Sequence, residues 1–230
     1  MTRAPAKRAK AHPRGRFITL EGGEGAGKTT QIMLLASKLK ALGKDVIATR
    51  EPGGAPGAEV IRRLLVERRS HPWAPLTEAF LHSAARAEHV AATVRPALAD
   101  GTWVISDRFS DSTLAYQGYG LGLPKATIAA LTKIATGGLM PDLTLILEVP
   151  VGAGLARAGR RSAAKNGPAE DHYEQMGAAF HERLRRGFRA IAKAEPKRCR
   201  MIDASGSIDE VAERIWAQVA RRFKLLTPQS

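Results

Sequence analysis

The sequence predicts an α/β fold: a doubly wound, five-stranded parallel sheet flanked by helices, with a mobile lid. Three observations carry this. Apolar runs of strand length alternate with longer stretches of helical periodicity, the rhythm of a parallel sheet. The first apolar run ends in a glycine-rich loop that opens a helix. Late in the chain a polar, basic segment, "ARAGRRSAAKNGPA" (Ala156–Ala169), is punctuated by Gly and Pro and reads as a mobile excursion.

The elements follow in order. "RFITLEG" is the first strand. "KTTQIMLLASKLKALG" is its helix, with Ile32, Leu35 and Leu39 on one face and Gly43 as the stop. "DVIATREPGG" is the second strand, ending in a Pro-Gly loop, and helical patterns follow at Ala58–Arg69 and Leu76–Leu98. "TWVISDRF" is apolar enough for a third strand buried on both faces. Helices are expected across Asp111–Ala115 and Lys125–Thr136. "DLTLILEV" and "CRMID" supply strands four and five, and Ile208–Phe223 the closing helix. Residues 1–14 read as a basic flexible tail and 15–226 as one domain, with its lid near 155–175.

Composition narrows the classes. Hydrophobic residues make up 44% of the 230, enough for a packed core. A single cysteine, Cys199, excludes a disulfide framework or thiolate metal cluster and fits a reducing, cytoplasmic setting. No apolar run approaches the roughly 18 residues of a membrane span, and the basic start of the chain lacks the apolar stretch of a secretory signal. The net charge of +14 raises nucleic-acid binding. Its charges, however, are spread, with one group in the tail and a second in one long segment from Arg157 to Arg200, without the interleaved aromatics of a stacking platform.

The chemistry begins at "EGGEGAGKTT". Gly22 and Gly27, with Lys28 and Thr29 after them, have the spacing of a phosphate-binding loop. The glycines let backbone N–H groups turn inward, and the helix beginning near Lys28 adds its positive end. Gly22, Gly23, Glu24, Gly25, Ala26, Gly27, Lys28, Thr29 and Thr30 are therefore the expected triphosphate site of a P-loop NTPase fold. Lys28 reaches the β- and γ-phosphates, and the Thr29 hydroxyl suits Mg²⁺. Glu24 would repel a triphosphate, so its use lies with a metal, a sugar hydroxyl or the acceptor. The motif establishes nucleotide binding and no reaction.

A second phosphate is suggested by three arginines. "TREPGG" places Arg50 at the end of strand two, beside a turn forced by Pro52. "DRF" puts Asp107 and Arg108 at the tip of strand three, and "SAARAEH" presents Arg86 from a helix. The planar guanidinium fork donates two parallel hydrogen bonds to adjacent phosphate oxygens.

With these motifs in hand, the chain resembles the thymidylate kinase family. "FITLEGGEGAGKTTQ", "TREPGGAPGAEVIRRLL", "SAARAEHV", "SDRFSDSTLAYQGYG", "PDLTLILEVP" and "IDAS" run in the family's order over roughly residues 16–220. The resemblance implies transfer of the ATP γ-phosphoryl group to dTMP with Mg²⁺, in a homodimer. It implies that Arg50 and Arg108 hold the dTMP phosphate, that Arg86 faces the thymine carbonyl, and that Tyr116 and Gln117 line the nucleoside pocket. It further brings Glu24 near the sugar 3′-hydroxyl and Asp107 near the metal. This phosphate loop has no arginine, so the family's bacterial pattern assigns that duty to the lid, where Arg157, Arg160 and Arg161 stand. One positioned arginine is worth roughly 10³–10⁵ in rate.

Two departures stand out. His82 occupies the place of an aromatic, commonly Phe, that stacks on thymine. His172 sits where arginine is common at the lid's end, with Glu174 expected at the metal. Another nucleoside or nucleoside-monophosphate kinase of related fold is the alternative, followed by a basic nucleic-acid-binding ATPase. A guanine-nucleotide switch lacks its Asn-Lys-x-Asp motif here.

Overall fold

The computed structural model describes residues 14–66, 73–164, 173 and 176–225, and for 161–164 the backbone alone. Five strands, β1 (Phe17–Gly22), β2 (Val46–Arg50), β3 (Trp103–Asp107), β4 (Leu143–Glu148) and β5 (Cys199–Asp203), pair in parallel in the order β2-β3-β1-β4-β5. β1 is central and buried along its whole length. The strand order reverses there, which opens a crevice at the carboxyl ends of the strands. Register sets the level of the motifs. Leu20 pairs with Asp107, Gly22 with Leu147 and Arg50 with Asp107, so loop, "DRF" and "TREPGG" emerge along one edge.

Successive strand residues face opposite sides. Ile18 and Leu20 meet Ile32, Leu35 and Leu39 of α1 (Lys28–Ala41), together with Val211, Ile215 and Trp216 of α9 (Ile208–Phe223). Phe17, Val104 and Phe109 pack on the other face with Val90, Val94 and Leu98. Each such side chain contributes about 1.5–3 kcal/mol on burial. Helix α9 starts in a capping box, with Ser207 and Glu210 each satisfying the other's backbone N–H.

The remaining helices are α2 (Pro56–Val66), α3 (Pro75–His89), α4 (Arg95–Ala99), α5 (Ser110–Thr113), α6 (Lys125–Thr136), α7 (Val151–Ala164) and α8 (Ala178–Ala194). The single helix expected over Leu76–Leu98 is interrupted by a π-helical turn at Val90–Val94. The short helix expected at Asp111–Ala115 starts at Ser110 and continues as a π-helical stretch, Leu114–Gly120. In the segment expected as an excursion, the backbone is helical as far as Ala164, and the rest lies outside the described residues. Helix α8 was not foreseen. Phe180, Leu184, Phe188 and Ile191 recur at helical spacing and bury beside Tyr116 and Ile146, but the arginines between them read as one basic stretch.

Candidate active site

The phosphate loop leaves β1 at Gly22 with φ +133°, where a side-chain methyl would collide with the Leu147 carbonyl of β4. Lys28 is buried, and its Nζ donates to the carbonyls of Gly22 (3.2 Å) and Gly23 (3.1 Å) across the loop mouth. Burial, then the neighbouring Arg108 cation, lowers the Lys28 ammonium below the ordinary lysine value, while Asp107, Glu24 and Glu21 pull it back.

Arg108 follows β3 in the left-handed region, φ +69°, which costs a non-glycine residue about 1–3 kcal/mol. Hydrogen bonds on both sides hold that turn. Its own N–H donates to the Leu20 carbonyl at 2.9 Å, and the next N–H, of Phe109, donates to Glu21 Oε1 at 2.8 Å. Ser112 donates to Glu21 Oε2 at 2.5 Å. Glu21 is wholly buried on β1, and burial, reinforced by Asp111, pushes its carboxyl up to about 8 against the pull of Ser112, Arg108 and the Phe109 N–H. The guanidinium so aimed donates to Glu24 Oε1 (2.7 Å) and the Gly22 carbonyl (3.2 Å), and lies 4.8 Å over the Tyr116 ring. Tyr116 donates to the same Glu24 oxygen at 2.6 Å. Burial alone would weaken the Arg108 charge, but Tyr116, Glu24, Asp107 and Glu21 hold it well above the ordinary arginine value.

Across the crevice Arg50 ends β2 and donates to both Glu59 oxygens, 3.0 and 3.2 Å, from an exposed position. Glu59 also accepts from the Gly54 N–H at 2.9 Å. Partial burial resists, yet the Gly54 N–H, Arg50 and Arg62 draw the Glu59 carboxyl below its usual range. Arg86 of α3 is almost wholly buried, bound through Nε to Glu51 (2.7 Å) and through Nη2 to the Phe109 carbonyl and Thr113, both 3.0 Å. Gln117 donates to Glu78 (3.0 Å) and to the Tyr173 hydroxyl (2.6 Å), and His82 Nε2 is 3.9 Å from Glu78.

These residues surround one cleft of about 1160 Å³, lined by Glu24, Gly25, Ala26, Gly27, Lys28, Thr29 and Thr30 on one side. The other side presents Arg50, Pro52, His82, Arg86, Asp107, Arg108, Tyr116 and Gln117. Loop residues Glu24–Thr30 and all three arginines thus line the same space, whereas Gly22 and Gly23 are not among its lining residues. Of the lid arginines, Arg157 and Arg160 are not among the residues lining this cleft. Arg157 Nη1 donates to the Ala204 carbonyl at 3.4 Å, Arg160 is exposed on α7, the side chain of Arg161 lies outside the description, and so does Glu174. Missing from the sequence reading are Glu21, Glu51, Glu59, Glu78, His89 and Tyr173. Glu21, Glu51, Glu59 and His89 lay inside the quoted motifs, but nothing local to those motifs marked their partners.

Thr29 Oγ1 donates to Asp107 Oδ2 at 2.8 Å, so a hydroxyl and a carboxylate converge at the loop's end. Among the described residues no group of three or more His, Cys, Asp or Glu could hold a metal alone. Two hard oxygen donors, with substrate phosphates and water completing the shell, fit Mg²⁺.

Comparison with known proteins identifies the family. The thymidylate kinase family model matches residues 20–215. Thymidylate kinase from Caulobacter vibrioides is 52% identical over 211 residues, covering 92% of this chain and 99% of that protein. The enzyme of the same name from Afipia carboxidovorans is 49% identical over 225 residues, 97% of each. The crystal structure of thymidylate kinase from Ehrlichia chaffeensis superposes with a TM-score of 0.71 at 34% identity, over 90% of this chain and 99% of that one. The chain belongs to the thymidylate kinase family.

Proposed function

We propose that ATP and dTMP meet in this cleft, and that each motif residue serves one of the two. The enzyme is an ATP-dependent nucleoside-monophosphate kinase that phosphorylates dTMP. The observation that carries the site assignment is the shared cleft, in which loop residues face Arg50, Arg86 and Arg108. A dTMP phosphate oxygen attacks the γ-phosphorus, the bond to the β–γ bridging oxygen breaks, and ADP leaves. No covalent enzyme intermediate is needed, so catalysis is positioning and charge neutralisation.

In this reading Gly22 through Thr30 hold the triphosphate, and Lys28 turns from the loop carbonyls to the β- and γ-oxygens. Arg50 and Arg108 hold the acceptor phosphate, and Arg50 is free to do so because its pair with Glu59 is exposed and weak. Arg86 meets the thymine carbonyl, His82 stacks on the ring, Tyr116, Gln117 and Pro52 line the nucleoside, and Glu24 turns to the sugar 3′-hydroxyl. On lid closure Arg157, Arg160 and Arg161 approach the transferring group and exclude water. Thr29 and Asp107 would hold Mg²⁺, and Glu174 is the lid residue that would join them. When bound, the ion neutralises charge on the phosphate oxygens.

A homodimer is part of the proposal. Helix α3 packs between α2 and α6, and these three carry the exposed apolar side chains Val60, Leu76, Phe80 and Ile134, a patch that a second copy would cover. We place the enzyme in the cytoplasm. Its one cysteine is free and buried, and no helix among the described residues is long and apolar enough to cross a membrane.

A coupled ADP-release assay offering dTMP, dUMP, dCMP and thymidine tests the acceptor. dTMP should exceed dUMP, which lacks the 5-methyl group, by roughly tenfold or more. Preference for a nucleoside or for dCMP would assign another kinase activity to the site.

A further inference from the structure

Behind Arg86 stands a chain of polar groups, half-buried Thr49 with buried His89 and Glu51, to which neither the motifs nor the reaction assigns a role. Glu51, directly after Arg50, is buried and accepts from two partners at once: Arg86 Nε on Oε2 (2.7 Å) and His89 Nδ1 on Oε1 (3.0 Å). His89 has no exposed surface, and its other nitrogen, Nε2, is 2.8 Å from Thr49 Oγ1. Thr49, His89, Glu51 and Arg86 thus form one hydrogen-bonded line from the end of β2 to the cleft wall.

The line fixes which part of Arg86 is left for a ligand. Its guanidinium carries five N–H groups. Nε serves Glu51, and Nη2 serves the Phe109 carbonyl and Thr113. Nη1 is buried and has no hydrogen-bond partner among the described residues. Arg86 lines the cleft, and Nη1 is the guanidinium nitrogen that no described residue uses; leaving such buried donors unpaired is costly. The Glu51 carboxylate beside it cancels the charge. The Arg86–Glu51 pair therefore suits a neutral acceptor such as a ring carbonyl better than a phosphate, in contrast to exposed Arg50.

The local chain is built around this arrangement. Gly54 comes so close that a methyl group there would collide with Thr49 Oγ1 and stand 2.6 Å from His89 Nε2. Its carbonyl accepts from Thr93 at 2.8 Å, which fastens the turn to the helix that carries His89 onward.

We propose that Glu51, backed by His89 and Thr49, is a positioning residue that locks the Arg86 fork, leaves Nη1 alone to read the carbonyl of the acceptor base, and so sets base selectivity. The proposal rests on the reading of the cleft as the dTMP site.

The test compares two acceptors that differ at that carbonyl: dTMP and 5-methyl-2′-deoxycytidine monophosphate, in which an amino donor replaces it. The readout is the ratio of their kcat/KM values, which does not depend on how much enzyme is folded. Wild type should favour dTMP strongly. Glu51→Gln should reduce the ratio roughly tenfold, the effect of one misplaced charged hydrogen bond, mainly through the dTMP KM and with the ATP KM unchanged. His89→Asn and then Thr49→Val should reduce it progressively less. A ratio equal to wild type in these variants, with only yield or melting temperature lowered, overturns the proposal. Should Glu51→Gln fail to fold, His89→Asn and the near-isosteric Thr49→Val decide it on the same ratio. A wild type that uses both acceptors equally also overturns it, because Arg86 then reads no carbonyl. A wild type that ignores dTMP overturns the proposal too, but through the acceptor reading on which it stands.

Discussion

The two sides of the cleft are built by different means. On the side we propose for the donor, nine consecutive residues, Gly22 to Thr30, offer backbone N–H groups and a helix start, with Glu24, Lys28 and Thr29 contributing the side chains that make contacts. On the acceptor side Arg50, Arg86 and Arg108 arrive from three separate elements, and each is held by its own glutamate: Glu59, Glu51 and Glu24. The loop is pre-organised by conformation. The arginines are pre-organised by counter-charges, and the burial of each pair differs. The Arg50 pair is exposed, the Arg108 pair largely covered and the Arg86 pair sealed. A backbone grip has little to lose from any one side chain except its lysine, whereas a grip made of ion pairs is sensitive to the partner acids.

The largest effect should come from the donor side's one indispensable side chain. Lys28→Ala should lower kcat by about 10³-fold, the scale of a lost transition-state charge contact, while calorimetric dTMP affinity stays near wild type. A parallel loss of dTMP affinity would show that the two sides are not separable in this way. Glu24 joins them, since it belongs to the loop and binds Arg108 and Tyr116. Glu24→Gln should therefore reduce kcat/KM for both substrates, by roughly 10–100-fold for weakened charged hydrogen bonds, in steady-state kinetics with each substrate varied.

Glu21 sharpens the comparison through stability. Its folded carboxyl titrates near 8, above the ordinary 4.5. Below 4.5 both folded and unfolded chains are protonated. Between 4.5 and 8 only the unfolded chain releases the proton, so stability from this group falls as pH rises, by up to about 1.4 kcal/mol per unit. Urea denaturation of wild type against Glu21→Gln should show the variant gaining relative stability from pH 5 to 8 and levelling off above. A pH-independent difference would mean that the acid is ionised throughout. The smallest effect belongs to the exposed pair: Glu59→Gln should change unfolding free energy by no more than about 1 kcal/mol, whereas thermal melts showing a much larger loss would make that pair structural.

The same contrast explains what could be read in advance. The five strands, the loop and the three arginines were legible because each is a short local pattern: apolar runs, Gly spacing, "TREPGG", "SAARAEH", "DRF". The partner acids were not. Glu59 meets Arg50 from nine residues on, Glu51 meets Arg86 from 35 residues away, and Glu24 meets Arg108 across 84. Such pairings are products of the packed fold. The left-handed Arg108 also left no mark, since arginine has no preference for that conformation and the Leu20 and Glu21 contacts that hold it belong to another strand. Helix α8 was hidden by its own charge, because its apolar stripe is separated by arginines, of which Arg185 and Arg189 bind Glu148 at 2.8 and 2.6 Å.

The most direct test of a donor side and an acceptor side built independently is Arg108→Ala, assayed with dTMP varied at saturating ATP and with ATP binding measured separately. The account predicts a raised dTMP KM and a lowered kcat with ATP affinity nearly intact. An unchanged dTMP KM would contradict it.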